Sequence, residues 1–318
     1  MASNALSHSD NGESLKIAVT AWDLNRTEAL AQVPEQAVIA ERMGFSGFWL
    51  PENHFAGPAA LSAPLILLAG AASRTQTIDL GTTSLVLPIR HPVSVAEEVA
   101  TLDQLCGGRL ILGLGRGFSN DLFEVFGVDP KQKRTLFKAA LNRMIALWQG
   151  ETVGNSNERN IYVSPAPHQS PYPRIWIAAF GPLALKQAAA FGCPYLASPM
   201  ESFGELKQNL EIYHAALSET QNVIPDCVPI MRTIFITHDV GRADAVSAQL
   251  SLEHQQRSTE QPRNDPPFLV GTPQAVKDQL TRYKDELGMN YLVARGRIKG
   301  VSNEEQLDSH ARLLDLAL

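Results

Sequence analysis

One short segment carries side chains suited to acid–base chemistry. Glu52, Asn53 and His54 place a carboxyl group, an amide and an imidazole at consecutive positions. An imidazole takes up and releases protons near neutral pH. We therefore predict that His54, together with the Asn53 amide beside it, transfers protons at a catalytic site. A lone histidine also commonly does no more than hydrogen-bond within its own loop, and this alternative stays open.

A glycine-rich segment predicts an anion-binding site. Gly113, Gly115 and Gly117 flank Arg116, so the backbone could approach a ligand closely while the guanidinium presents a rigid donor fork to a phosphate. The glycine spacing is GxGxG, whereas dinucleotide folds use GxGxxG, so the pattern does not indicate a nicotinamide site. The alternative is that Arg116 pairs with a neighbouring Asp or Glu.

A second candidate for holding an anion is the turn Ala179-Phe180-Gly181, which precedes a predicted helix beginning at Pro182. The free N–H groups and the positive dipole end of a helix N-terminus favour an anion, and Gly181 leaves the approach open. The alternative is an ordinary helix start. Together with Arg116, the turn predicts a phosphorylated cofactor.

Alternating elements position these segments. The predicted strands cover residues 16–20, 47–50, 78–87, 109–114, 174–179, 195–198, 228–237 and 290–294, and the predicted helices cover residues 34–43, 62–74, 92–105, 133–148, 182–191, 203–217, 242–254 and 273–287. Strict alternation of eight strands and eight helices predicts an α/β fold, a single-domain (β/α)8 TIM barrel. In such a barrel the reactive groups lie at the carboxyl ends of the strands. We expect long loops at 150–173 and 255–267, the second a candidate lid.

Composition excludes several classes of protein. The formal net charge is −6 with no dense Lys/Arg block, which argues against nucleic acid or a membrane surface as partner. No apolar run approaches the roughly 18 residues of a membrane span. Cys106, Cys193 and Cys227 lie far apart, so we expect no metal site, no disulfide framework and a cytoplasmic location. Residues 1–14 are predicted to be a disordered tail, and residues 15–318 one barrel domain.

Longer stretches of the chain resemble the bacterial luciferase-like flavin monooxygenases. The resembling stretches are residues 40–45, 49–55, 87–93, 102–105, 108–117, 125–129, 180–182 and 271–273. They are ordered and collinear, and the resemblance covers nearly everything from Lys16 to Ala294. The resemblance implies a barrel that holds reduced FMN over the carboxyl ends of its strands and uses O₂ to oxygenate a small organic substrate.

The resemblance also implies roles for individual residues. Arg116 would hold the FMN phosphate, and Thr83 and Ser84 would lie under the flavin ring, where relatives can have a non-proline cis peptide. The relatives most similar to luciferase have two consecutive histidines where this chain has Asn53-His54, and the first histidine is catalytic there. An amide is not a base at neutral pH, so His54 or water would take that role, and light emission is not expected.

A second departure from luciferase follows the fifth predicted strand. Luciferase has Glu and hydroxyl side chains near the phosphate, where this chain has Phe180, Gly181, Pro182 and Ala184. The phosphate would then rest on Arg116 and backbone N–H groups.

The expected partners follow from the same resemblance. Because the chain shows no nicotinamide fingerprint, a separate flavin reductase would supply FMNH₂. The alternatives are an F420-dependent oxidoreductase and a flavin-binding protein without catalysis. Five apolar side chains near strand ends predict the pocket of a substrate of modest polarity: Trp22, Phe55, Phe118, Trp176 and Met200. The alanine-rich helix 62–74 could pack closely against a second copy, so we expect a homodimer, although core packing explains its alanines as well.

Overall fold

A curled, mostly parallel sheet forms the centre of the protein. The computed structural model describes residues 15–24, 27–57, 60–156, 159–257 and 265–316. The strands are β1 (Lys16–Thr20), β2 (Gly47–Leu50), β3 (Asp79–Thr82), β4 (Leu85–Val86), β5 (Leu110–Gly115), β6 (Gly154–Ser156), β7 (Arg159–Ile161), β8 (Arg174–Ala178), β9 (Tyr195–Leu196), β10 (Pro229–Ile236), β11 (Phe268–Gly271) and β12 (Tyr291–Arg295). β6 and β7 form a separate antiparallel hairpin.

The strand order confirms the predicted barrel. The sheet runs β11-β10-β12-β1-β2-β3-β5-β8-β9, with β4 beside β5, and its paired strands are parallel. A parallel bridge between Ala197 and Ile230 joins the end of β9 to β10 and so connects the two sides of the curl. All carboxyl ends of the parallel strands therefore meet at one mouth.

Helices surround the sheet. They are α1 (Val33–Met43), α2 (Pro64–Ala72), α3 (Pro92–Leu105), α4 (Asn120–Val125), α5 (Lys133–Trp148), α6 (Pro182–Ala190), α7 (Phe203–Thr220), α8 (Val240–Arg257), α9 (Pro273–Leu287) and α10 (Asn303–Leu314). Helices α3, α5 and α9 have the predicted bounds. Prolines stand in the first turn of α3 and α9, where their missing N–H has no helical partner, and Gly288 ends α9 in the left-handed conformation at φ 69°.

Some elements differ from the prediction. The predicted strand 78–87 is two strands, β3 and β4, separated at Thr83 and Ser84. β11, α4 and α10 were not predicted, and the β6–β7 hairpin lies in the predicted loop 150–173. The hairpin was missed because its strands are three residues long and polar. Of the predicted lid, residues 255–257 complete α8 and residues 258–264 lie outside the described residues, as does the predicted tail 1–14.

Aromatic side chains fill the interior of the barrel below its mouth. Trp49 of β2 stacks on Trp176 of β8, with ring centroids 4.8 Å apart, and its Nε1 donates to the hydroxyl of Tyr291 of β12. A methyl group at Gly81 would overlap the Trp49 ring, so the glycine makes room for this layer. The aromatic layer therefore separates the mouth from a cavity of about 380 Å³ at the other end of the barrel, which is lined by residues at the starts of strands such as Lys16 and Arg174.

His310 on α10 gives the fold a pH-dependent stability. The side chain is 1% exposed and packs edge-on against Trp22 and Phe45, with ring centroids 5.7 and 5.8 Å away. Burial lowers the pKa of His310 from 6.5 to about 3. The unfolded chain therefore binds the proton first, and stability present above pH 6.5 is lost as the pH falls from there towards 3.

We expect this group alone to lower the free energy of unfolding by about 2 kcal/mol between pH 6.5 and pH 5. The His310→Phe variant keeps an aromatic ring against Trp22 and Phe45 but cannot titrate. Urea unfolding of both proteins at the two pH values measures the effect. The variant should lose about 2 kcal/mol less than the wild type, and an equal loss in both would contradict the prediction.

Candidate functional site

A cavity of about 280 Å³ lies at the barrel mouth, and we call it the first mouth cavity. It is lined by five of the six predicted cofactor residues: Thr83, Ser84, Arg116, Ala179 and Phe180. The sixth, Gly181, is the next residue along the chain and is the N-cap residue that precedes α6. The structure therefore brings residues from three separate strand ends to one place.

Arg116 is half-buried in the wall of the first mouth cavity. Burial lowers the pKa of Arg116 from its usual value, and the nearby positive charge of Arg134 acts in the same direction. In the part of the chain that the structure describes, no Asp or Glu pairs with Arg116, so the alternative predicted for this residue finds no support. Two guanidinium groups that disfavour each other are stabilised by an anion bound between them.

Arg134 was missed by the sequence analysis. It stands in the first turn of α5, and its carbonyl oxygen accepts a hydrogen bond of 3.2 Å from Gln187 Nε2 on α6. This contact holds the start of α5 beside α6. A signal was present in the sequence: Lys133 and Arg134 are cations at a helix N-terminus, where the helix dipole disfavours positive charge.

The start of α6 is open to a ligand. Gly181 precedes the helix with φ +80°, and no side chain caps the first turn. A Cβ atom placed on Gly181 would meet nothing within 4 Å. The positive end of α6 therefore adds to the positive potential of the arginine pair, and anion binding at this turn stays a prediction.

Gly113 and Gly115 have a different role from the one predicted. A methyl group at Gly113 would overlap the Thr82 carbonyl oxygen, and one at Gly115 would overlap Ser84 Oγ. The two glycines thus make room for residues 82–84, which cross over the end of β5, rather than for a ligand. Thr82 Oγ1 also donates to the Gly113 carbonyl oxygen at 2.7 Å. The Thr83–Ser84 peptide bond is cis, as the resemblance implied.

Glu52 connects the predicted acid–base segment to the cavity. Its side chain is fully buried and lines the first mouth cavity. Oε1 accepts from His54 Nε2 at 2.8 Å and from an Arg90 guanidinium nitrogen at 2.7 Å, and Oε2 accepts from the Val86 backbone N–H at 2.6 Å. Glu52 therefore ties β4 and the segment before α3 to the end of β2.

His54 and Asn53 are placed differently with respect to the mouth. The described lining of the first mouth cavity includes Glu52 but not His54, whose ring lies edge-on to Phe126 with centroids 5.3 Å apart. His54 therefore reaches the cavity through Glu52, and its role in proton transfer stays a prediction. Asn53 Oδ1 accepts from the Leu61 backbone N–H at 2.5 Å, which fixes the loop between β2 and α2.

The predicted substrate residues do not form one pocket. Phe118 is 92% exposed and lines the first mouth cavity, and Phe55 is exposed on its loop. Met200 lines a separate cavity of about 30 Å³. Trp22 and Trp176 are corrections: both are 4% exposed, and Trp176 lines a separate cavity of about 380 Å³ that shares no described residue with the mouth cavities. Trp176 lies in the middle of β8 rather than at its carboxyl end, and Trp22 packs edge-on against Phe48.

A larger cavity of about 800 Å³, the second mouth cavity, adjoins the first. Phe118 is the one described residue that lines both. Asn53 lines the second mouth cavity, together with Arg295, Arg297 and Lys299 from the segment after β12. The mouth therefore has two compartments, each with its own cations.

Three further observations concern the described residues. None of their His, Cys, Asp and Glu side chains form a group of three or more that could hold a metal ion. Cys106, Cys193 and Cys227 are free thiols, and burial raises the pKa of Cys193 and Cys227 to about 12. No helix in the described part of the chain has both the length and the apolar character needed to cross a membrane.

Substituting Glu52 tests how strongly its contacts hold the mouth together. We expect Glu52→Gln to lower the free energy of unfolding by about 2 kcal/mol, because a buried carboxylate with three donors loses its charge and one acceptor. The matched control is Glu35→Gln, whose ion pair with Arg74 is exposed, and here we expect less than about 1 kcal/mol. Urea denaturation measures both, and equal losses would show that the Glu52 contacts contribute little.

The fold and the site define a parallel α/β barrel with a cationic, two-compartment mouth at the carboxyl ends of its strands. The chain belongs to the luciferase-like monooxygenase family, whose family model matches residues 12–290. This assignment confirms the resemblance seen in the sequence.

Two curated relatives show the range of the family. The alkanal monooxygenase alpha chain of Photorhabdus luminescens is 30% identical over 202 residues, which are 61% of this chain and 55% of that protein. The oxygenase component of the flavin-dependent trigonelline monooxygenase of Acinetobacter baylyi is 25% identical over 224 residues, 69% of this chain and 62% of that protein. The matched part of this chain thus spans little more than half the length of these relatives.

Solved structures share the fold along almost the whole chain. The oxygenating constituent of 3,6-diketocamphane monooxygenase of Pseudomonas putida, in complex with FMN, has a TM-score of 0.78 at 16% identity and covers 96% of this chain and 98% of its own. An F420-dependent secondary alcohol dehydrogenase has a TM-score of 0.75 at 17% identity, with 96% and 99% covered. The barrel is therefore common to proteins that use different cofactors.

Proposed function

We propose that this protein is a flavin-dependent monooxygenase that uses reduced FMN and O₂ to oxygenate a small organic substrate. The observation that carries the proposal is Arg116 in the wall of the first mouth cavity, with Arg134 near enough to act on its charge. Arg116 is half-buried beside Arg134, and none of the described carboxylates neutralises it. A phosphorylated cofactor supplies the missing negative charge, and the family membership favours a flavin.

The residues present fit FMN. Arg116, Arg134 and the open start of α6 at Gly181 would bind the phosphate. Thr83, Ser84, Ala179 and Phe180 line the cavity in which the rest of the cofactor would lie. When bound, reduced flavin supplies the electrons and reacts with O₂, so the protein has to position it and to exclude water.

The proton chemistry falls to the buried carboxylate and its neighbour. We propose that His54 holds or releases a proton at Nε2, which lies 2.8 Å from Glu52 Oε1. Glu52 lines the first mouth cavity and would connect this proton to the substrate side. Asn53 keeps a positioning role through its hydrogen bond to Leu61.

A separate flavin reductase would deliver the reduced cofactor. The chain has no nicotinamide fingerprint, and one relative is itself named as an oxygenase component. The likeness to an F420-dependent dehydrogenase supports a second candidate, an F420-dependent oxidoreductase on the same barrel.

Cofactor binding and labelled oxygen test the proposal. We expect the purified protein to bind FMNH₂ anaerobically, and to transfer one atom of ¹⁸O₂ to a member of a panel of small organic compounds, as read by mass spectrometry. Tight binding of reduced F420 without affinity for FMNH₂ would favour the F420 candidate instead. Binding of FMNH₂ with no labelled product across the panel would favour a flavin-binding protein without catalysis.

We further propose a homodimer in the cytoplasm. Ala71 and Ala72 of α2 are buried in the chain's own core, so core packing explains these two alanines, whereas Ile66 on the same helix is 72% exposed. The free cysteines fit a reducing compartment. Light scattering after gel filtration measures the oligomeric state, and a mass of one chain would overturn the dimer.

A further inference from the structure

Two fully buried charged side chains hold the backbone of Ser198. They belong to Glu201 and Arg232, both of which are 0% exposed. Glu201 Oε2 accepts from the Ser198 backbone N–H at 2.5 Å, and a guanidinium nitrogen of Arg232 donates to the Ser198 carbonyl oxygen at 2.8 Å. Both backbone polar groups of Ser198 are thus bound, one by a carboxylate and the other by a guanidinium. We call Glu201 and Arg232 the Ser198 clamp.

Other elements fix the two side chains of the clamp. Glu201 Oε1 accepts from the Tyr195 hydroxyl of β9 and from Asn209 Nδ2 of α7. Arg232 Nε donates to the Tyr283 hydroxyl of α9 at 3.0 Å, and the guanidinium lies over the Tyr283 ring. The clamp is therefore attached to strands β9 and β10 and to helices α7 and α9. A preorganised arrangement of this kind reduces the entropy lost when a ligand binds.

The clamp lies behind the wall of the first mouth cavity. Ser198 is among the described residues that line this cavity, whereas Glu201 and Arg232 are not. Successive side chains of a strand point to opposite faces of the sheet. On β10, Met231 accordingly faces the cavity while Arg232 faces α9. The two charges can therefore act on a ligand only through Ser198.

Burying these two charges costs free energy. Burial raises the pKa of the Glu201 carboxyl, although the hydrogen bond from Tyr195 and the charge of Arg232 act in the opposite direction. Nη2 of Arg232 is buried and has no hydrogen-bond partner among the described residues. Apolar side chains of similar size in place of a buried ion pair are often neutral or stabilising. A gain in the stability of the fold therefore does not explain the clamp, whereas a role in positioning Ser198 does.

Ser198 needs such positioning because it follows a very short strand. β9 has two residues, and after it an isolated bridge between Ala197 and Ile230 joins the chain to β10. In a longer strand, the ladder of backbone hydrogen bonds would fix the N–H and carbonyl groups at this position. Here the two charged side chains of the clamp bind these groups instead.

The Ser198 hydroxyl keeps a free donor at the cavity wall. Its Oγ accepts from the Met200 backbone N–H at 3.2 Å. A serine hydroxyl has one O–H donor besides its acceptor sites, and no acceptor for this hydrogen is found among the described residues. Ser198 is half-buried in the lining of the first mouth cavity. Its hydroxyl can therefore donate a hydrogen bond to a molecule bound there.

Building on the proposed function, we propose that the Ser198 hydroxyl donates a hydrogen bond to the bound flavin, and that Glu201 and Arg232 are the positioning residues that hold it in place. The acceptor is in the part of the flavin that FMN shares with riboflavin. The phosphate would bind at Arg116, after β5, and at Gly181, before α6. Ser198 follows β9, which is separated from β5 by β8.

Removing the hydroxyl alone tests the contact with the flavin. In Ser198→Ala the backbone N–H and carbonyl oxygen of residue 198 remain bound by the clamp. We expect fluorescence titration to show that riboflavin and FMN both bind about 5-fold more weakly, because both contain the acceptor that the hydroxyl would contact. The matched control is Ser73→Ala, which removes an exposed hydroxyl just after α2 and should leave both affinities unchanged.

A double-mutant cycle separates positioning from support of the fold. E201M/R232M removes both charges of the clamp, and we expect it to weaken both flavins about 5-fold when the Ser198 hydroxyl is present but less than about 2-fold in the Ser198→Ala background. Glu201→Gln keeps an acceptor for the Ser198 N–H and should stay within about 2-fold of the wild type. If E201M/R232M does not unfold cooperatively in urea, Arg232→Lys replaces it in the cycle, because lysine keeps the charge but lacks the planar donor fork.

Three outcomes would overturn the proposal alone. They are unchanged flavin affinities in Ser198→Ala, a loss for FMN without a loss for riboflavin in that variant, and a loss in the clamp variant that is the same with and without the Ser198 hydroxyl. The second outcome would place the hydroxyl at the phosphate, and the third would make the clamp a support of the fold. Failure of the proposed function has a different signature, because a wild type that binds neither flavin overturns that function together with this inference.

Discussion

We expect the Arg116→Gln variant to bind FMN about 100-fold more weakly than the wild type, while its affinity for riboflavin stays within a factor of two. Riboflavin lacks the phosphate, so the comparison isolates the contact that Arg116 would make with it. The large effect follows from the half-buried position of Arg116 beside Arg134. Removing one of two such charges leaves the phosphate without its main donor. Fluorescence titration of both flavins measures the difference.

Two further variants calibrate this result. Arg134 is exposed, so Arg134→Gln should weaken FMN binding by about 10-fold or less, because water screens its charge. Arg42→Gln on α1 should leave both flavins unaffected. If Arg116→Gln weakens FMN and riboflavin equally, then Arg116 supports the ring or the fold of the mouth and does not bind the phosphate.

The fold was largely predictable because the local signals agree with the tertiary structure. Pro273 and Gly288 mark the ends of α9, and apolar runs mark the buried strands. The alternation of strands and helices that defines a barrel can therefore be recognised in the sequence. The break between β3 and β4 was not predictable in this way. Residues 78–87 look like one strand, and the two glycines that make room for the break lie about 30 residues further along, in β5.

The part of the site that follows directly after predicted strands was predictable, because the reactive groups of such a barrel lie at the carboxyl ends of its strands. Arg116 and Phe180 were placed at the mouth because each follows a predicted strand, and Thr83 was placed there by the family resemblance; all three line one cavity. The same rule failed for Trp176, because nearness to a strand end does not say on which level of the barrel a side chain lies.

Long-range contacts account for the rest of the site. The sequence shows a carboxyl group at position 52, but the donors from Val86 and Arg90 lie 34 and 38 residues away along the chain. No local sequence pattern around Glu52 indicates such a contact. Arg134, by contrast, could have been found from its unfavourable position at a helix N-terminus.

Gly113 and Gly115 of β5 allow a test of how residues 82–84 are held in place. Thr83 and Ser84 of this segment form the floor of the first mouth cavity. In Gly115→Ala the new methyl group meets Ser84 Oγ, which can rotate away. We therefore expect a modest loss of stability, and adding Ser84→Ala should restore much of it because the obstructing oxygen is removed. Gly115→Ala is the control for Gly113→Ala, where the new methyl group meets a main-chain atom instead of a side-chain oxygen.

Gly113→Ala should be far more damaging. Its methyl group would overlap the Thr82 carbonyl oxygen, a main-chain atom that cannot move without displacing Thr83 and Ser84 beside it. We expect the free energy of unfolding to fall by about 3 kcal/mol or more and FMN affinity to fall with it, as measured by urea denaturation and fluorescence titration. Thr82→Ala in this background should give no recovery, because it leaves the carbonyl oxygen in place. Recovery there, or unchanged FMN affinity in Gly113→Ala, would mean that the close approach of Thr82 to β5 does not hold the cavity floor in position.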